Sequence, residues 1–212
     1  MVYSRRYEIS NEVLNAISHG LGFILGIFGF ILLFNRGLQE SPLALFAYVV
    51  YGSSILILFL ASTLLHSFSF TKAKKVFTIF DHCAIYILIA GTYTPYALLL
   101  FGGNLGWIIF SVIWIIGIVG IIDKIVFNSK VDHVSKKSTI IYLLMGWLSI
   151  FLMIPLFQRL PLYGFLLLIL GGLLYSIGSI FYLKKFKYNH VLWHCFVIGG
   201  AFSMFLSIYL SL

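Results

Sequence analysis

Long apolar runs alternate along this chain with short, lysine-rich polar interruptions. A membrane-spanning helix needs about 20 consecutive apolar residues. Seven runs meet that length, at about 13–35, 43–67, 76–101, 105–123, 138–158, 162–183 and 189–211. The pattern predicts an all-α polytopic membrane protein, with seven transmembrane helices in one bundle and residues 1–212 as a single domain. No internal repeat, linker or low-complexity tract breaks the series. Ser41-Pro42 offers an N-cap followed by proline at the first helical position, and Pro161 does similar work before the sixth run. Pro95 lies deep in the third run and is expected to kink it, with Thr92 or Thr94 satisfying the freed carbonyl. Phe101-Gly102-Gly103-Asn104 reads as a tight turn, which makes a hairpin of the third and fourth helices. Gly22, Gly26 and Gly29 line one side of the first helix at a spacing that permits close packing, although general membrane-helix composition accounts for them equally well.

Composition agrees with the pattern. The chain is 61% hydrophobic and 9% charged, where a soluble domain carries roughly a quarter charged residues. The net charge of +8 does not indicate nucleic acid as a partner, because the basic residues sit in short loops between apolar runs. There they read as topology signals and contacts to anionic lipid. Arg5 and Arg6, then Lys72, Lys74 and Lys75, then Lys124, Lys130, Lys136 and Lys137, then Lys184, Lys185 and Lys187 all fall on one side. Only Arg36 and Arg159 fall on the other. Positive loops stay inside, so the N-terminus is expected in the cytoplasm and the C-terminus outside, in a multi-pass protein of the cell (plasma) membrane. The first 20 residues hold arginines and glutamates but no apolar core, so a cleavable signal peptide is not expected. Cys83 and Cys195 each follow a histidine near the cytoplasmic ends of helices. A reducing compartment makes a disulfide unexpected there, and both read as small core residues rather than ligands.

The chemistry gathers at the same end. Five of the six histidines, and the one carboxylate deep in an apolar run, lie near the cytoplasmic ends of their helices. Ionisable groups inside a membrane are expensive, so such a cluster marks a functional site. His190 and His194 stand one helical turn apart on one face, a spacing that lets both rings reach one ion. His66 offers a third imidazole from the second helix, with Ser62 one turn below; the alternative is an interfacial histidine reaching for water. Three histidines leave a fourth tetrahedral position for water, as in catalytic zinc sites. Asp81 lies some five residues into the third run with no cation one turn away. It would hold the metal's water, act as general base or orient a ligand histidine, unless it is only a helix N-cap. His82 points about 100° away from Asp81 and is not expected to share its role. Glu12, Asn15 and His19 share one face of the first helix, with Ser18 adjacent. That face lines or caps the site, or else meets lipid headgroups.

Together these residues resemble the hemolysin III family, within the wider progestin and adipoQ receptor (PAQR) superfamily. Glu12-x-x-Asn15-x-x-Ser18-His19-x-x-Gly22 is similar to the family's N-terminal signature, and Ser62-x-x-x-His66 to its second-helix motif. Asp81, followed by Ile85, Leu88, Ile89, Gly91, Thr92, Tyr93 and Pro95, resembles the third-helix pattern, and His190-x-x-x-His194 the seventh. The resemblance covers most of the chain. It implies a Zn2+ ion held by His66, His190 and His194, with Asp81 near its water. It also implies kinship with alkaline ceramidases, which share such a Ser, His, Asp and His-x-x-x-His set; by that analogy Ser62 hydrogen-bonds within the site or stabilises an oxyanion. The long N-terminal region of the adiponectin receptors has no counterpart here.

The leading expectation is therefore a zinc-dependent hydrolase of a lipid amide or ester, or a lipid-homeostasis protein, with membrane lipids as partners and an acyl chain in the bundle. The family's name raises a second function, a cytolytic pore, but the outer halves of the helices carry almost no ionisable groups to line a wet path. A third is a non-catalytic sensor stapled by zinc. Structural zinc normally takes four protein ligands, and only three histidines are evident.

Overall fold

The computed structural model describes residues 4–126 and 136–212. Lys130, counted above among the loop cations, lies outside them. The described residues form helices and no strands: α1 (Arg5–Glu40), α2 (Pro42–Ser67), α3 (Lys74–Pro95), α4 (Gly103–Val126), α5 (Lys136–Trp147), α6 (Met153–Arg159), α7 (Leu162–Leu183) and α8 (Asn189–Ser211). A π-helical turn (Tyr96–Phe101) extends α3, and a 3-10 segment (Leu148–Leu152) joins α5 to α6. Seven spans result, each long and apolar enough to cross a membrane.

The helices α1 to α4 pack each on the next, α5 lies against α3 and α7, α7 packs on α8, and α8 returns to α1 and closes the bundle. Burial divides the spans into two groups. In α2, α3 and α8, 50%, 56% and 44% of the most apolar stretch is buried, against 17% in each of the other four spans. The inner helices are those that carry Ser62, His66, Asp81, His190 and His194. Close approach of α1 to them depends on its glycines: a methyl group at Gly22 would lie 2.8 Å from the Phe59 ring, and one at Gly29 would lie 3.2 Å from Phe205. That glycine side is thus a packing face, wedged between α2 and α8.

The helix signals act as expected in α2, where Ser41 accepts a hydrogen bond from the Ala44 N–H at 3.0 Å and Pro42 opens the helix. Gly102 and Gly103 take positive φ (63° and 52°) and turn the chain into α4. Three elements differ from the sequence reading. The first helix begins at Arg5 rather than near 13 and reaches Glu40. At 1.5 Å per residue it is about 54 Å long, well beyond the ~30 Å of a hydrocarbon core. Its early turns are held from outside: Tyr188 donates its N–H to the Tyr7 hydroxyl at 2.9 Å, and Ser10 bonds the Tyr188 hydroxyl at 3.0 Å. Near Pro95, Thr92 and Thr94 donate to the carbonyls of Leu88 and Ala90, not to that of Gly91, which the proline leaves without its usual donor. The chain instead widens into the π turn, closed by the Gly102 N–H on the Ala97 carbonyl. The fifth span is broken rather than continuous. Pro155 lacks an N–H and crowds the preceding turn, which tightens to 3-10. Tyr93 repairs the break: its hydroxyl donates to the Gly146 carbonyl at 2.7 Å and accepts from the Ser149 N–H at 2.7 Å.

Candidate metal centre

His66 ends α2, and His190 and His194 occupy the first two turns of α8. The antiparallel bundle brings these two helix ends together. Ring centroids lie 4.6 Å apart for His190 and His194, and 5.0 Å from His66 to each of them. One ring nitrogen from each histidine falls within 4.8 Å of the other two. Nitrogens around a tetrahedral zinc stand roughly 3.4 Å apart, so small side-chain rotations close this set on an ion. His66 is only 7% exposed, which rules out an interfacial ring reaching for water.

The second ring nitrogens of His66 and His194 are engaged. His66 Nδ1 lies 2.8 Å from Glu12 Oε2, and His194 Nδ1 lies 3.0 Å from Ser18 Oγ. His66 Nε2 is buried with no hydrogen-bond partner. A buried bare nitrogen among two further imidazoles fits a metal, and three nitrogen donors with an open fourth position fit zinc.

Matches to known proteins place the chain in a family. The family model described as "Haemolysin-III related" matches residues 7–205. The chain belongs to the hemolysin III family. It is 48% identical over 199 residues to "Hemolysin-3" of Bacillus cereus, covering 93% of this chain and 90% of that one. It is 44% identical over 202 residues to "Hemolysin-3 homolog" of Bacillus subtilis (strain 168), covering 94% and 93%. A distant likeness, 29% over 159 residues, reaches the human "Monocyte to macrophage differentiation factor", covering 72% of this chain and 64% of that one. The family and the PAQR superfamily around it are those that the sequence motifs indicate.

The rest of the hemolysin III motif surrounds the three histidines. Asp81 sits in the eighth position of α3, well past its start at Lys74, and is not an N-cap. Ser62, 1% exposed on α2, stands beside its carboxyl group. Asp81 lies within electrostatic range of His66 but does not join the three-nitrogen set. The cation missing from its own helix comes from α4, where Lys124 lies within Coulomb range of it and is only 3% exposed. Lys124 is thus a buried residue as well as a loop-end charge, which the helix spacing alone did not reveal. Asn15 and His19 are fully buried or nearly so, at 0% and 3% exposure, so these two side chains face the bundle interior, while Glu12 and Ser18 beside them are partly exposed. The His19 ring stacks on His194 with centroids 3.5 Å apart. His82, expected to turn away from Asp81, also lines the central cavity, as does Asp81 itself. Cys83 is buried as expected, but Cys195 faces outward and is not a core residue; neither is in the ligand set.

The site opens into a cavity of about 370 Å³, within the 300–1,000 Å³ range of small-molecule sites. It runs from the histidines past Ile85 and Leu88 to Leu152, Leu156 and Phe101 near the opposite end of the bundle. Its wall is mostly apolar, with the histidines, Asp81 and Ser62 at one end and scattered hydroxyls such as those of Thr92, Tyr96 and Ser149 farther along.

Proposed function

We propose that this chain is a zinc-dependent membrane hydrolase acting on a lipid amide or ester, with the histidine end facing the cytoplasm of the cell membrane. The observation that carries this reading is a three-imidazole set beside Asp81 and Ser62, at the head of a long apolar cavity. Held by His66, His190 and His194, zinc supplies the Lewis acidity that makes water nucleophilic near neutral pH. The chain's own residues do the remaining work. Asp81 takes the proton of the attacking water on its carboxylate oxygen, as a general base. Ser62 stands beside that carboxylate and steadies it by donating its hydroxyl hydrogen. Once Asp81 is protonated it can donate in turn, and the Ser62 hydroxyl is released toward the oxygen that gains negative charge. Ile85, Leu88, Leu152 and Leu156 lodge the acyl chain and keep bulk water from the reacting carbonyl. Asp81 standing outside the ligand set supports a working open position over a four-ligand structural staple.

A cytolytic role is the second reading, supported by the name "Hemolysin-3" carried by the Bacillus cereus relative. It needs a wet path across the whole bundle, whereas the wall of the cavity is mostly apolar. Purified protein, its zinc measured by elemental mass spectrometry, is to be offered a fluorescent N-acyl amide and an ester lipid in mixed micelles, with entrapped-dye liposomes assayed in parallel. Turnover by wild type and none by a His190→Ala/His194→Ala variant supports the hydrolase. Full turnover by a zinc-free variant overturns it. Dye leakage indifferent to those histidines favours lysis.

A further inference from the structure

Zinc binding to an imidazole requires one nitrogen bare and the other protonated, and the partner of the protonated nitrogen decides which is which. Two residues of α1 make that choice for two different helices. The Glu12 carboxylate has acceptors only, so the 2.8 Å contact places the hydrogen on His66 Nδ1 and leaves Nε2 bare. Ser18 reaches the same result by another route. Its single hydroxyl hydrogen goes to the Asn15 carbonyl at 2.9 Å. The Ser18 oxygen is thereby left as an acceptor for His194, 3.0 Å away, so Nδ1 of that ring carries the hydrogen. At 100° per residue, Glu12 and Ser18 are the two edges of one helix face, with Asn15 and His19 between them. One edge meets α2 and the other meets α8.

We propose that Glu12 and Ser18 are positioning residues for the metal: α1 sets the tautomer and aim of His66 and His194 so that both present Nε2 to a common ion. This assigns a role to the Glu12-x-x-Asn15-x-x-Ser18 pattern, and it rests on the zinc reading above. Neither residue is a ligand. Their effect is felt through the rings they hold, which is how hydrogen-bond partners of metal-bound histidines act elsewhere.

The test is zinc affinity by chelator competition on detergent-purified full-length chain, together with the melting temperature of the metal-free protein. Glu12→Ala and Ser18→Ala should each weaken zinc binding by about 10–100-fold. Glu12→Gln and Ser18→Thr keep an acceptor oxygen in place and should recover most of the loss. The metal-free melting temperatures of the conservative variants should stay near that of wild type. Wild type that binds zinc, with both alanine variants binding as tightly, overturns this inference and leaves the zinc reading standing. Wild type that takes up no zinc overturns both. If Glu12→Ala does not fold, Glu12→Gln and the Ser18 pair still decide. Affinity lost equally in alanine and conservative variants, with the metal-free melting temperature falling in step, means a purely structural role and also overturns the inference.

Discussion

The two ends of this bundle both bury polar side chains but treat them differently. At the end away from the histidines most have a counterpart; among the described residues the Ser211 hydroxyl there, and that of Tyr51 nearer the middle of α2, do not. Tyr96 donates to Ser207 Oγ at 2.7 Å, and Ser207 donates to the Gly164 carbonyl at 2.7 Å, tying α8 to α7 and to the π turn. Arg36 donates to the Tyr209 carbonyl and to Glu40, while Tyr48 donates to Glu40 at 3.1 Å. At the histidine end the accounting does not close. Both nitrogens of His19, both side-chain polar atoms of Asn15 and Nε2 of His66 are buried without partners. Leaving such an atom unsatisfied costs about 1–3 kcal/mol, and more where no water can reach. The same residue types are therefore fasteners at one end and an unfilled site at the other. Polarity alone does not separate structure from function in a membrane bundle; a concentration of unsatisfied buried groups in one place does.

The largest effect should come from removing the nitrogens that converge. Replacing His66, His190 and His194 together by alanine is expected to take bound zinc from about one per chain to none, with turnover falling to background. Elemental mass spectrometry beside the lipid assay reads both. Full metal content in that variant would remove the distinction between the two ends.

Next comes a change that separates holding the metal from using it. Asp81→Asn keeps the volume and the hydrogen-bonding capacity toward Ser62 but removes the base. Turnover should fall by about 10²–10⁴-fold while zinc content is unchanged. Loss of zinc in step with turnover would instead make Asp81 part of the metal's own support.

How much of this contrast could be read from the sequence depends on how local each signal is. The seven spans could be, because twenty apolar residues in a row carry their own explanation. Ser41-Pro42 and Gly102-Gly103 could be as well, since capping and positive φ are properties of a few adjacent residues. The three histidines and Asp81 were visible through helical spacing and position along the span. The early start of α1 was not, because it depends on Tyr188, some 180 residues away in the chain. Nor was the burial of Lys124, which depends on how α4 lies against α3. The break in the fifth span had a local cause in Pro155, and a proline inside an apolar run is a signal that sequence reading can use. Glu12 and Ser18 were placed on or beside the correct face, but their separate partners, one on α2 and one on α8, exist only once three helices meet.

At the end away from the histidines, deleting a bonded group should lower stability and leave chemistry alone. Ser207→Ala strands the Tyr96 hydroxyl, itself only 5% exposed, and removes the bond to the Gly164 carbonyl. The expected loss is about 1–3 kcal/mol, read as a lower melting temperature in detergent. Zinc content and turnover per folded molecule should match wild type. A variant with normal stability and reduced turnover would move the functional site to the wrong end.

The smallest effect has the opposite sign. Asn15 is 0% exposed, and its side-chain amide has no partner at either atom. Leucine has the same number and branching of side-chain heavy atoms and can extend its larger methyl groups into the cavity that Asn15 lines. It suits a helix interior better by a few tenths of a kcal/mol, and has no polar atom to strand. Asn15→Leu should therefore raise the melting temperature of the metal-free protein, by an amount on the order of 1 kcal/mol or less. Zinc binding should survive, because the hydroxyl of Ser18 bonds the backbone carbonyl of Asn15 and not its side chain. A polar-to-apolar change that destabilises at Ser207 and stabilises at Asn15 is the direct signature of the contrast between the ends. A lower melting temperature for Asn15→Leu would mean that the amide is a fastener after all, and that the histidine end, apart from its three imidazoles, is built like the other.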